Sequence, residues 1–140
     1  MSPSTELVSR WYVAISGRDW DTLRAITDPD IDFRVADGFP AGGHYVGRSA
    51  VFDDFFPRCF REWSQFFTAV DEVIEADSAV TVRGRYVGRT QRTDTPFEVP
   101  FAHIWRVSDD HQLRWLQQYA DTAAIRDAIA AHRGPETVMG

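Results

Sequence analysis

Residues 97–121 read FEVPFAHIWRVSDDHQLRWLQQYAD and carry the aromatic side chains Phe97, Phe101, Trp105, Trp115 and Tyr119. Two stretches rich in Val, Ile, Phe, Trp and Tyr flank the polar link Ser108-Asp109-Asp110-His111, a pattern that predicts an antiparallel β-hairpin. Side chains alternate along a strand, so Phe101, His103, Trp105 and Val107 share one face while Ala102, Ile104 and Arg106 share the other. His103 therefore stands in an aromatic row. An imidazole so placed is either packed against a partner in the core or directed into a pocket, and the functional reading turns on which.

Upstream of the hairpin the period of two continues. Residues 66–76 and 79–90 read as strands joined at Asp77-Ser78, with Val80, Val82 and Tyr86 facing inward and Arg83, Arg85 and Arg89 facing water or a partner subunit. Pro96 opens the hairpin after a polar loop over residues 91–95, and Pro100 favours an edge or a bulge. Phe52, Phe55, Phe56, Cys59, Phe60 and Trp63 recur at spacings of three and four, one face of a helix that Pro57 should kink.

A first helix is predicted over residues 5–16, with Leu7, Trp11, Ala14 and Ile15 inward and Ser4 available as N-cap. Asp19 caps a second, ending at Ile26, which Asp28-Pro29-Asp30 stops. Residues 31–35 form a short strand, and residues 37–48, rich in Gly and Pro, form a loop outside the core. A last helix over residues 123–131 is capped by Asp121 or Thr122, and residues 134–140 read as a frayed tail. Helices followed by long strands make one α+β domain over residues 1–140, ordered from about 4 to 131. Its strongly bent antiparallel sheet, with the N-terminal helices on one side, leaves a cone-shaped cavity. The glycine-rich loop lines the mouth of that cavity and the aromatic hairpin its floor.

The totals exclude several functions. Net charge is -6, which argues against nucleic acid and anionic membrane as partners. All 15 basic residues are Arg, so no Schiff-base or general-base lysine exists. The lone Cys59 predicts a reducing compartment, with the cytoplasm as the expected location, since no membrane span or signal-peptide core is evident. His44, His103, His111 and His132 are scattered and no Cys pair occurs, so no metal site is expected.

Four segments carry a resemblance: YVAISGRDWDTL at 12–23, DPDIDFRV at 28–35, HYVGRSAVFDDFF at 44–56 and PFAHIWRVSDDHQLRWLQQYADTAAI at 100–125. Together they resemble the nuclear-transport-factor-2-like superfamily, in its SnoaL-like and ketosteroid-isomerase-related branch. The resemblance runs to Ile129 and implies a cystatin-like roll that hosts isomerases, polyketide cyclases, epoxide hydrolases, dehydratases and non-catalytic proteins. In the isomerases a helix Tyr, a base Asp and a protonated hairpin Asp do the chemistry, and Trp11, Val35 and His103 fall at those positions. The catalytic base is thus absent, while His103 takes the place from which a ligand oxygen is polarised. The limonene-epoxide-hydrolase type aligns its water-activating Asp with Gln118, which cannot accept that proton, and its strand partners with Arg83 and Arg85. SnoaL-like cyclases pair a cavity His with an Asp at the end of the last strand, which His103 and Asp121 offer, with Tyr119 nearer the expected place.

Each candidate has a plain alternative. His103 is a tunable acid, base or donor, or a core histidine satisfied by its neighbours. Asp121 assists catalysis or caps a helix. Asp37 and His44 contact substrate from the loop or serve the turn. Gln118, beside Leu116, orients His103 or a water, or binds ligand oxygen. Trp11, Trp63, Tyr86, Phe101 and Trp105 are core residues that also make a pocket for a flat apolar ligand. Outward Arg-rich and aromatic faces suggest a homodimer through the outer sheet. The expectation is a cofactor-independent enzyme moving a proton on a carbonyl-bearing apolar substrate, with a non-catalytic ligand-binding or accessory domain as its competitor.

Overall fold

Alternation in the sequence becomes a six-stranded sheet. In the computed structural model, which describes residues 1–131, the strands are β1 (Thr27–Val35), β2 (Gly43–Val46), β3 (Trp63–Ala76), β4 (Ala79–Thr90), β5 (Pro96–Val107) and β6 (Leu113–Ala120). They lie in the order β2-β1-β6-β5-β4-β3. The expected tail, residues 134–140, lies outside the described residues, as does His132. The fold is α+β as read, with one refinement. The pairing of β1 with β6, Phe33 opposite Leu116, is parallel, so the sheet is mixed. Hairpin chemistry speaks only for strands adjacent in the chain, and these two are some eighty residues apart.

The helices cover one face. In α1 (Pro3–Ser16), Ser2 rather than Ser4 is the N-cap, accepting from Thr5 N with Pro3 at the first helical position. The buried stripe is wider than Leu7, Trp11, Ala14 and Ile15, because Val8 and Tyr12 are buried beside them. Large side chains on such a face each contribute on the order of 1.5–3 kcal/mol by leaving water. Asp19 caps α2 (Trp20–Ala25) as expected, while β1 begins at Thr27 and runs through Asp28-Pro29-Asp30.

The Phe-rich segment is not one kinked helix. A π-helical turn, Ala50–Phe55, leads into α3 (Phe56–Phe60), and Trp63 already belongs to β3. Pro57 has no N–H for the carbonyl four residues back and its ring would clash with it, and the wider π turn fits that missing bond. The glycine-rich loop also departs from expectation. It contains β2, and Phe39 and Tyr45 are buried.

Close backbone approach shapes the sheet. At Gly84 a Cβ would lie 2.7 Å from the Phe101 ring and 2.3 Å from the Ala69 carbonyl oxygen. Bare backbone there lets Phe101 lie flat beneath Tyr86, at 4.5 Å between ring centroids. Finally α4 (Thr122–Ala130) starts from Asp121, whose carboxylate accepts from Ala124 N. No helix among the described residues is long and apolar enough to cross a membrane.

Candidate functional site

The inward faces of β4, β5 and β6 meet α1 around a hollow of about 50 Å³. That is room for a few waters, below the roughly 150 Å³ of a cavity that binds benzene and well below the roughly 300–1,000 Å³ of pockets that take a drug-sized ligand. Its walls include Trp11, Val35, Phe39, Trp105 and Leu116, and its polar groups converge on His103.

His103 is 6% exposed and held from both sides. Its Nδ1 lies 2.6 Å from Tyr12 Oη and its Nε2 lies 2.6 Å from Tyr86 Oη. Each phenol is fixed in turn by a donor that cannot reverse. Trp105 donates its indole N–H to Tyr12 Oη at 2.9 Å. Gln118 donates Nε2–H to Tyr86 Oη at 2.9 Å, and its amide orientation is set because Ala36 N–H donates to Gln118 Oε1 at 3.1 Å. Strand register builds this chain, since Gln118 faces His103 directly across the β5–β6 pair and Val82 faces it on β4.

Burial sets the protonation states. Desolvation drives the His103 pKa down to about 3, so the ring is neutral near neutral pH. Burial likewise raises both phenols, Tyr12 against the opposing hydrogen bond from Trp105 and Tyr86 against that from Gln118. Cys59, also on the wall, is pushed up to about 12 by burial and is a thiol rather than a nucleophilic thiolate.

The two links to the imidazole need two hydrogens, and a neutral ring with two phenols supplies three. In either tautomer one tyrosine oxygen therefore accepts twice, and its own O–H has no acceptor among the described residues. An unsatisfied buried donor of this kind costs about 1–3 kcal/mol until something accepts from it. Both phenols line the hollow, so a ligand oxygen there would satisfy it.

Of the residues read from the sequence, the fold brings Trp11, Val35, Tyr86, His103, Trp105, Leu116 and Gln118 to the hollow. Others stand elsewhere. Phe101 lies behind, stacked on His103 at 4.1 Å. Trp63, at the start of β3, packs on Phe66 and Phe97 and does not line the hollow. Asp37 is exposed, since Phe39 and not its acidic neighbour turns inward. His44 is exposed on β2 and pairs with Asp32 at 2.8 Å. Asp121 is exposed with its carboxylate spent on the α4 cap.

Of the wall residues outside that reading, Tyr12 and Phe39 bear most on the site. Tyr12 shares the buried stripe with its neighbour Trp11, and the pair Val8 and Tyr12 four residues apart was the available signal. Phe39 is the single large apolar residue between Gly38 and Pro40. Among the described residues no three His, Cys, Asp or Glu gather as a metal would require.

Residues 8–115 match the family described as SnoaL-like domain. The chain belongs to the SnoaL-like family. Among solved structures, this SnoaL-like domain is similar to an NTF2-like protein of unknown function from Burkholderia pseudomallei, at 25% identity and TM-score 0.86, over 94% of this chain and 100% of that one. An NTF2-like protein from Burkholderia thailandensis shares 29% identity, TM-score 0.84, with the same coverage. TerC, co-crystallized with polyporic acid, shares the fold at 22% identity and TM-score 0.84, over 93% of this chain and 100% of that one. No curated protein matches the chain.

Proposed function

We propose that this SnoaL-like domain binds an apolar, carbonyl-bearing small molecule, such as a polyketide or steroid-like compound, and moves a proton on it without a cofactor. Isomerisation, aldol-type cyclisation and dehydration are the reactions in view. The surplus hydroxyl hydrogen on the Tyr12–His103–Tyr86 chain carries the reading, because it offers a donor to a carbonyl or developing enolate oxygen in a buried, mostly apolar site.

The same chain supports a relay. As one phenol oxygen takes a proton from the ligand, its own proton passes to the facing imidazole nitrogen. The proton on the other nitrogen then passes to the second phenol, whose outward proton returns to the ligand. Proton count and charge are unchanged on the protein, and the histidine ends in the opposite tautomer. Gln118 and Trp105 act as positioning residues by fixing the two oxygens. Polyporic acid in the TerC crystal is in keeping with an organic ligand in this fold.

A second reading has its own support. The lining residues include no carboxylate, and an imidazole with a pKa about 3 is a weak base, which favours a non-catalytic binding or accessory domain. Deuterium exchange separates the two. The ligand that co-purifies is identified by mass spectrometry and incubated with enzyme in D2O. Catalysis predicts deuterium next to its carbonyl, slowed about a hundredfold or more in His103→Gln. Binding without exchange above background would leave only the second reading. The proposal includes a homodimer through the outer sheet, supported by the exposed Phe67, Ile74 and Tyr119, with sedimentation equilibrium as its test.

A further inference from the structure

A second concavity of about 380 Å³ lies between the 38–41 loop, the end of α3 and the last turn of α4. Three guanidinium groups line it, those of Arg58, Arg61 and Arg126, against one carboxylate, Glu62. This is unusual in a chain of net charge -6. On the outer sheet the arginines are neutralised: Arg83 pairs with Glu72, Arg85 with Asp71 and Glu98, and Arg89 with Asp94. In the groove Arg58 alone is paired, spending Nη1 on Asp54 and on Tyr45 Oη. Neither Arg61 nor Arg126 has an ion-pair partner among the described residues.

The groove and the hollow are built from the same segments. Phe39 lines the hollow while Gly38 and Pro40 line the groove, and Cys59 and Phe60 line the hollow while Arg58 and Arg61 line the groove. Of these wall pieces only Phe39 is carried on a loop, with Gly38 (φ 92°) before it and Gly43 (φ 147°) closing the turn. A ligand larger than the hollow of about 50 Å³ has to extend past its walls, and the groove adjoins the wall made by Phe39, Cys59 and Phe60.

We infer that the groove is an anion subsite, in which Arg61 and Arg126, with Arg58 beside them, hold a carboxylate or phosphate on the distal end of the molecule whose carbonyl end enters the hollow. The inference rests on the small-molecule reading of the hollow and adds to it a substrate class, an apolar carbonyl compound with an acidic tail. Planar guanidinium forks suit such an oxyanion, and two of them without an ion-pair partner among the described residues give selectivity that the apolar hollow lacks.

Calorimetry with a matched pair of probes tests this, 4-(4-hydroxyphenyl)butanoate against 4-butylphenol, with inorganic phosphate as the free-anion arm. The acid is expected to bind about tenfold tighter than the alkylphenol at low salt. That advantage should shrink with added salt and vanish in the exposed double variant Arg61→Gln/Arg126→Gln, with 4-butylphenol affinity unchanged. Equal affinities for the two probes, or an advantage that survives the double substitution, would overturn the subsite.

If neither phenol binds, the reading of the hollow fails and the groove is judged by phosphate alone. Phosphate-induced NMR shifts of the Arg61 and Arg126 side-chain N–H signals, lost on substitution, would keep the anion site, and their absence would dismiss it. Phosphate shifts without an advantage for the acid probe would mark a free-anion site and overturn the link to the ligand's tail.

Discussion

Strand β4 carries two polar systems, one on each face, and they obey different physics. Inward, Tyr86 belongs to a neutral chain of hydrogen bonds that leaves one tyrosine hydroxyl hydrogen without an acceptor among the described residues. Outward, Arg83 and Arg85 are half exposed and meet carboxylates in water. Charge is cheap where solvent screens it, whereas a buried group must be neutral and individually partnered. The proposed function draws on the inner face, where one hydroxyl hydrogen has no acceptor among the described residues.

Breaking the inner system has the largest expected effect. His103→Ala removes a buried ring and strands both phenols, and should cost about 3–5 kcal/mol in urea unfolding. His103→Gln keeps a donor and an acceptor and should cost less than half of that. A cost for the alanine variant no greater than for a surface substitution would mean that the chain of hydrogen bonds contributes little.

Acid sharpens the contrast next. The folded His103 pKa lies far below the roughly 6.5 of an unfolded histidine, so on acidification the unfolded state takes up a proton that the folded state refuses. Stability contributed by the neutral ring is whole above pH 6.5 and declines as pH falls through that value, by up to ~1.4 kcal/mol per unit. Unfolding free energies between pH 7 and 5 should show this slope in the wild type and lose most of it in His103→Gln.

Smaller still is the loss of one phenol. Tyr86→Phe should cost about 1–2 kcal/mol in urea unfolding, because Gln118 Nε2 loses its acceptor. It should also weaken 4-butylphenol binding in calorimetry, whereas Phe101→Leu, behind the ring, should alter stability more than binding. The outer face comes last. Arg83→Ala removes an exposed pair and should leave the urea midpoint near that of the wild type.

Period-two alternation was strong enough in the sequence to place Tyr86, His103, Trp105, Leu116 and Gln118 on one inner surface, and with them most of the site. Helical periodicity was weaker evidence. A helix lying in a curved sheet buries a wide stripe, so Trp11 and its neighbour Tyr12 both turn inward, and the more apolar one hid the one that touches His103. Capping chemistry accounts for the place of Asp121, whose carboxylate accepts from Ala124 N. Loop composition misled, because turn residues around Phe39 suggested exposure while one aromatic ring had a buried place to fill. Pairings between strands distant in the chain, such as β1 with β6, leave no local signature at all.

The most direct test is the titration of the His103 ring nitrogens by 15N NMR from pH 7 to 4, with and without 4-butylphenol. One protonated nitrogen throughout, no titration above about pH 4, and a shift in tautomer balance when the phenol binds are the expected results. A ring that gains its second proton near pH 6.5, or that ignores the phenol, would contradict them.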